Sequence, residues 1–367
     1  MNRRLTQLMF LSAMILFSQT IYAQSWQLQV GAQTGDKAHQ ALAFLPNEIW
    51  IHANDSITWS FPADEIHTVT FLKTGQVRPN RLSGCPGTNS TPNFSVVDGN
   101  ACVNSGILTT RDGQTYTMVF PAIGNFKVVC LAHPNMTATI HVLAMSVPLP
   151  YDQGFYDKQA DRERADLLSD AMASGHKHAD SNDITAGVGH IMGNGGGTQT
   201  SSVMLFMDAT KVIHVGETVE WTTAEAVTSH TITFGPEPDP LNQTPPSANV
   251  TVDADGARHA FLSSPADVVH SGFITEAPQD RIGLAQAPLG VTRFRATFNG
   301  PGVYQYKCVL HDELGMVGQI IVLPLVAAQQ NDKTVNSIAS ALGQGEGDEG
   351  VAELFFGDFG MAPGGDD

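Results

Sequence analysis

Two cysteines in this chain carry the same set of neighbours. Cys130 is followed by His133 and Met136, and Cys308 by His311 and Met316. With 13 histidines in 367 residues, a His three places after both cysteines is a pattern rather than an accident of composition. Each cysteine also has a His far upstream, His67 or His230, eight or nine residues after a Trp, Trp59 or Trp221. Each segment therefore offers one thiolate, two imidazoles and one thioether. A soft thiolate with two imidazoles in a trigonal arrangement, plus a weak axial thioether, suits copper and permits one-electron cycling. Zinc fits less well, because thioether is a poor zinc ligand and no second Cys stands nearby. If Met136 and Met316 are plain core residues, the groups become three-coordinate and remain copper-like.

The elements that must position these groups occur twice. Ile51-His52-Ala53-Asn54-Asp55-Ser56-Ile57-Thr58-Trp59 parallels Ile213-His214-Val215-Gly216-Glu217-Thr218-Val219-Glu220-Trp221. His67-Thr68-Val69-Thr70-Phe71 parallels His230-Thr231-Ile232-Thr233-Phe234, and Asn104-Ser105-Gly106-Ile107 parallels His270-Ser271-Gly272-Phe273. The last block is Gly124 to Cys130 against Gly302 to Cys308. Four blocks in one order mean two copies of one domain. Ile49, Ile51, Ile57 and Trp59 alternate with polar residues around an Asn54-Asp55 turn, as strands do. Phe126, Val128 and Cys130 share one strand face, as do Tyr304, Tyr306 and Cys308. Many short strands between Gly/Pro/Asn turns predict an all-β chain of two Greek-key sandwiches.

The expected layout is a signal peptide over residues 1–23, a first domain over 24–146, a helical connector over 147–182, a second domain over 183–325 and an acidic Gly-rich tail over 326–367. Arg3 and Arg4 precede an apolar run from Leu8 to Phe17 and an Ile21-Tyr22-Ala23 cleavage site. That pattern implies export to the periplasm or outside the cell. No later stretch is long and apolar enough to span a membrane. Phe155 to Ser174 reads as a helix ending at Gly175, and Gly193 to Gly197 as a flexible turn. His52 and His214 are expected in structural, mid-strand roles, and His176 and His178 in a solvated linker. His270 has Asn104 at the matching position, which argues against a shared ligand role.

Acidic residues outnumber basic ones 36 to 19, a net charge of −17. Such a chain repels a phosphate backbone, which excludes nucleic-acid binding, and favours a partner with a basic docking face. Cys85 and Cys102 are expected to form a disulfide closing one loop rich in Gly, Pro, Asn and Ser. Closing such a loop stabilises by roughly 3 kcal/mol in the chain-entropy model. A disulfide between Cys130 and Cys308 is the competing use of the remaining pair. The residues around each argue for coordination instead, which also shields a thiolate from pairing.

Both repeats resemble the cupredoxins, the blue copper proteins. Cys130-x2-His133-x2-Met136 is similar to amicyanin, and Cys308-x2-His311-x4-Met316 to plastocyanin and pseudoazurin; the Gly302 to Cys308 run is plastocyanin-like. The resemblance implies two cupredoxin β-sandwiches, each with one type 1 copper. The implied ligands are His67, Cys130, His133 and Met136, then His230, Cys308, His311 and Met316. Different loop lengths imply different potentials. Many family members have Asn directly after the first ligand His; this chain has Thr68 and Thr231, so the tie between ligand loops must differ.

Three function classes follow. The preferred one is an electron carrier, not an enzyme, serving a redox protein such as a cytochrome or a copper enzyme. By analogy, electrons would leave through His133 or His311 at the surface, with Pro134, Leu310 and Leu314 as an apolar docking patch. The second is a multicopper oxidase or nitrite-reductase-like enzyme. In such enzymes a His usually flanks the copper Cys, whereas Cys130 lies between Val129 and Leu131 and Cys308 between Lys307 and Val309. The third is copper storage or delivery, which the scattered 12 methionines do not favour.

Overall fold

The computed structural model describes residues 23–79, 84–85, 90–175, 182–225, 227–238, 246–276 and 292–325. All but the last residue of the expected leader, together with His176, His178 and the acidic tail, lies outside them. Among the described residues no helix is long and apolar enough to cross a membrane.

The strand Glu48–His52 and the strand Ser56–Ser60 both alternate in burial, with Ile49, Ile51, Ile57 and Trp59 facing inward. They lie in opposite sheets, so the turn between them carries the chain across the core. Asn54 takes φ 74° there. The Asp55 carboxylate locks the corner, accepting from His52 N at 2.9 Å and from the indole N–H of Trp26 at 2.9 Å.

One sheet runs His39–Leu45, Ser25–Gln33, Ser56–Ser60, Thr115–Val119, Ser95–Val96. The facing sheet runs Glu48–His52, Thr137–Leu143, Gly124–Val129, Thr70–Phe71, Val103–Asn104. The second half repeats this order. Its first sheet is Thr198–Met207, Asp183–Gly193, Thr218–Ala224, Arg293–Phe298, Arg258–Leu262, Thr251–Val252. Its facing sheet is Thr210–His214, Val317–Leu323, Gly302–Lys307, Thr233–Phe234, Val269–His270. Neighbours distant in sequence, such as Ser25–Gln33 beside Ser56–Ser60, make each half a Greek-key sandwich. Trp59 packs on Phe71 and Phe120 in one core, and Trp221 on Phe234, Phe294 and Tyr306 in the other.

The two sandwiches share a sheet. Thr200 pairs with Leu42, Ser201 with Ala41, Ser202 with Gln40 and Val203 with His39, antiparallel, giving one sheet of eleven strands. Two exposed edges are thereby removed from water and from stray pairing. The helix Gln153–Ser174 lies across this junction, two residues longer at its start than the sequence suggests, because Asp152 accepts the Phe155 N–H at 2.9 Å as an N-cap. Its Ala160 and Leu167 pack on Ala41, Ala43 and Leu45, and its Ala171 on Val188 and Val203. Glu163 reaches both halves, accepting from Asn47 N at 3.1 Å and from the Gln199 amide at 2.7 Å.

The Gly193–Gly197 turn, expected to be flexible, is instead docked on the first sandwich. Gly196 O accepts from Thr139 Oγ1 at 2.7 Å. A Cβ on Gly196 would sit 2.4 Å from Asn47 O, and one on Gly197 2.4 Å from Thr137 O. Glycine is needed there for backbone to approach backbone. His52 and His214 end their strands rather than sitting within them, and His52 Nε2 lies 2.8 Å from Val147 O. Cys85 and Cys102 form the expected disulfide, while Cys130 and Cys308 are free and buried.

Near the junction Glu225 is fully enclosed, accepting from Ser202 Oγ at 2.5 Å and Val227 N at 3.0 Å. Burial, helped by the nearby charge of Glu65, pushes its carboxyl up to about 7. The folded chain therefore holds a proton that the unfolded chain, with its ordinary value of 4.5, gives up. Stability is expected to fall as pH rises from that ordinary value through the folded one. Glu225→Gln should flatten this slope and raise the melting temperature at about pH 8 relative to the native chain, while changing little at about pH 5. Thermal unfolding followed by circular dichroism checks it.

Candidate metal centres

Each cysteine sits one residue beyond the strand that delivers it, Gly124–Val129 or Gly302–Lys307. The loop then folds back on itself. Cys130 N donates to Met136 O at 3.0 Å, and Met136 N to His133 O at 3.4 Å. In the second copy Cys308 N donates to Met316 O at 3.0 Å, and His311 N to Cys308 O at 3.1 Å. The two extra residues of the second loop are absorbed by a short 3-10 turn, Asp312–Leu314, ended by Gly315 at φ 97°.

The upstream histidines come from the neighbouring strand. Thr70 pairs with Val129, and Thr233 with Lys307. That register brings the residues just before Thr70 and Thr233 alongside the cysteines. His67 is pinned by mutual backbone bonds with Leu108 at 3.0 and 2.9 Å, and His230 by the same pair with Ile274 at 3.0 and 2.9 Å. His67 Nδ1 lies 4.0 Å from Cys130 Sγ, and His133 Nδ1 lies 3.6 Å from it. The second copy has 3.9 Å for His230 and 3.3 Å for His311. The imidazole centroids are 5.0 Å apart in both copies, at 61° and 63°. Met136 and Met316 are buried in the same cores.

The missing Asn after the first ligand-type His is replaced by a threonine that does two jobs. Thr68 N donates to Cys130 Sγ at 3.4 Å, while Thr68 Oγ1 accepts from Leu131 N at 2.8 Å. Thr231 does the same for Cys308 Sγ at 3.4 Å and Val309 N at 2.9 Å. One residue thus ties the two ligand-bearing segments together. His270 is not part of the second group. Its Nδ1 meets Thr233 Oγ1 at 2.7 Å, the same contact that Asn104 Oδ1 makes with Thr70 Oγ1 at 2.7 Å.

His67, Cys130 and His133 form one group able to hold a metal ion, and His230, Cys308 and His311 another. All six residues are buried. Burial pushes the Cys130 thiol up and the Cys308 thiol up to about 11, and pulls His67 down to about 3 with help from neighbouring His133. His67 is therefore held neutral, as a nitrogen donor must be, and the thiols resist air oxidation until a cation displaces their protons. One sulfur and two imidazole nitrogens per group, with no carboxylate among them, is a soft donor set that fits copper.

Three features were not read from the sequence. Gly31 and Gly187, at φ 73° in both cases, sit at bulges and back the first histidines. A Cβ at Gly31 would lie 2.3 Å from His67 Nε2, and one at Gly187 would lie 2.2 Å from His230 Nε2. Their signal was a Gly inside each opening strand, in Val30-Gly31-Ala32 and Ala186-Gly187-Val188. The third is Glu65, only 4% exposed. Its Oε1 lies 3.1 Å from His133 Nε2 and its Oε2 lies 3.7 Å from His311 Nε2.

This last contact corrects the expectation that the loop histidines reach the surface. His133 is 0% and His311 2% exposed, because the two ligand loops face each other across the junction. The apolar patch is consumed there too. Leu314 joins the core cluster of the first sandwich, Pro134 is buried, and Leu310 packs against the second core.

No family model and no curated protein matches the chain. Among solved structures, oxidised plastocyanin from Dryopteris crassirhizoma is 20% identical, over 38% of this chain and 99% of that one, with a TM-score of 0.20. A reduced amicyanin variant is 17% identical over 32% of this chain and 82% of that one, TM-score 0.22. A copper-containing nitrite reductase from Thermus scotoductus is 12% identical over 82% of this chain and 68% of that one, TM-score 0.21. The strand order and the paired His/Cys/His groups decide the architecture. The fold is cupredoxin-like, twice over.

Gly31→Ala should push the His67 ring out of place and weaken metal binding at the first group by at least about tenfold, sparing the second. Gly187→Ala should do the reverse. Metal content per chain after dialysis against a graded chelator measures both.

Proposed function

We propose that this chain is an exported blue copper protein that binds one type 1 copper in each sandwich and carries single electrons between redox partners. The observation that carries the reading is the duplicated, fully buried His/Cys/His group. The ligands in the first copy are His67, Cys130, His133 and Met136, and in the second His230, Cys308, His311 and Met316. Copper bound there supplies one-electron chemistry between Cu(I) and Cu(II).

The chain's own residues do the rest. Cys130 and Cys308 sit where a strand ends, so the sheet fixes each sulfur. Thr68 and Thr231 point an N–H at that sulfur and stabilise it as an anion. Gly31 and Gly187 let the backbone close behind the first rings. All six His and Cys side chains are buried, so both groups lie away from bulk solvent. A rigid, buried pocket supports exchange of electrons rather than of ligands, which favours a carrier over an enzyme or a delivery protein. The excess of acidic residues supports a redox partner with a basic docking face, such as a cytochrome or a copper enzyme. The leader supports a periplasmic or secreted location.

The oxidised protein should contain two coppers with type 1 optical and EPR signals and no type 2 signal. Cys130→Ser should abolish one blue band and Cys308→Ser the other. A type 2 signal in the loaded protein would favour the enzyme reading. Electron exchange with a basic cytochrome, followed by stopped flow, should slow as salt is raised. Rates independent of ionic strength would count against acidic steering.

A further inference from the structure

We propose that Glu65 couples the two metal centres, as a positioning residue shared by both loop histidines and as the route by which an electron passes between the centres inside one chain. The inference rests on the copper reading above.

The geometry is specific. His133 and His311 each turn Nδ1 towards their own cysteine sulfur, at 3.6 and 3.3 Å, so Nε2 is the outer nitrogen of each ring. Both outer nitrogens converge on one carboxylate, at 3.1 Å on Oε1 and 3.7 Å on Oε2. Glu65 and His133 belong to the first sandwich and His311 to the second, so the contact crosses the junction. All three side chains are buried. The position two residues before the ligand-type His holds Glu65 in one copy and Thr228 in the other, so one carboxylate serves both rings.

The junction is built to keep this contact. The shared sheet, the helix across it and the seating of Leu314 in the first core hold the two halves in register. Arg111 of the first half also pairs with Glu313 of the second, beside Leu314.

The chemistry follows. A carboxylate accepting from the outer N–H of a ligand imidazole fixes its tautomer and makes the inner nitrogen more electron-rich. Shared between two rings, it links them through a hydrogen bond at 3.1 Å to His133 and a longer contact at 3.7 Å to His311, in a buried, low-dielectric setting. One electron moves along it. With copper held by both groups, the one electron given up at one centre would be the one taken up at the other. No bond to Glu65 forms or breaks and no proton is transferred. The negative charge of Glu65 stabilises the oxidised ion at both centres, so removing it should raise both midpoint potentials.

The test uses the full-length, copper-loaded chain. Redox titration comes first. Glu65→Gln should raise the midpoint of both coppers, and in a Cys130→Ser background it should still raise that of the remaining second copper. A residue that merely fills space in the first sandwich would not move the second. Pulse radiolysis comes next. After one copper is reduced, a re-equilibration phase independent of protein concentration is expected, slowed at least about tenfold in Glu65→Gln. Glu65→Asp keeps the charge but shortens the reach, so it should hold the midpoints near the native values while slowing the same phase. Two type 1 signals with midpoints and phase unchanged by both variants would overturn the coupling and leave the copper reading standing. Absence of type 1 signals from the native chain would overturn the copper reading, and the coupling with it.

Discussion

The pairing of Thr70 with Val129, and of Thr233 with Lys307, is the constraint on which each centre depends. A strand presents alternate residues to opposite faces, so a slip of one residue would turn the cysteine or the upstream histidine away. In register, the threonine after each first histidine meets the sulfur with its N–H and the following backbone N–H with its hydroxyl. The His/Cys/His groups are thus a consequence of sheet register, assembled by the chain alone. The same pairing leaves both thiols in the core, where burial keeps them protonated and unreactive until the proton is displaced.

The second organising feature is the joining of two edges. A sandwich with an open edge strand invites association. Here each copy covers the edge of the other, and the helix between them closes the back of the join with alanines that allow close approach. The consequence for function is inward orientation of both ligand loops. A single-sandwich carrier would offer its loop histidine to a partner; this arrangement spends both loop histidines on an internal contact with Glu65. The cost of the arrangement shows in Glu225, a second buried carboxyl near the first, held towards its neutral form by burial and by the charge of Glu65.

The repeat, the strand character, the connector helix and the ligand-type residues were legible in the sequence. Local patterns report local structure: alternation in Ile49, Ile51, Ile57 and Trp59, and identical spacing after Cys130 and Cys308. Thr68 and Thr231 stood out as departures, though how they compensate was not readable, because a backbone N–H leaves no mark in a sequence. Gly31 and Gly187 were visible as glycines inside strands, but what they touch lies more than thirty residues away in each case. The turn at Gly193 to Gly197 reads as flexible in sequence but is docked, for a related reason. Its glycines serve a contact with Asn47 and Thr137, not freedom of motion.

What the sequence determined by itself is the content of each half: which atoms meet, on what kind of strand, in what order, because spacing within one repeat is a matter of a few residues and a fixed period. What only the tertiary structure decided is how the halves face each other. Glu65 is one acidic residue among 36, with no motif around it. It acquires its role because two loops from different sandwiches are pressed together in a buried junction, where the outer nitrogens of two imidazoles lie 3.1 and 3.7 Å from its oxygens.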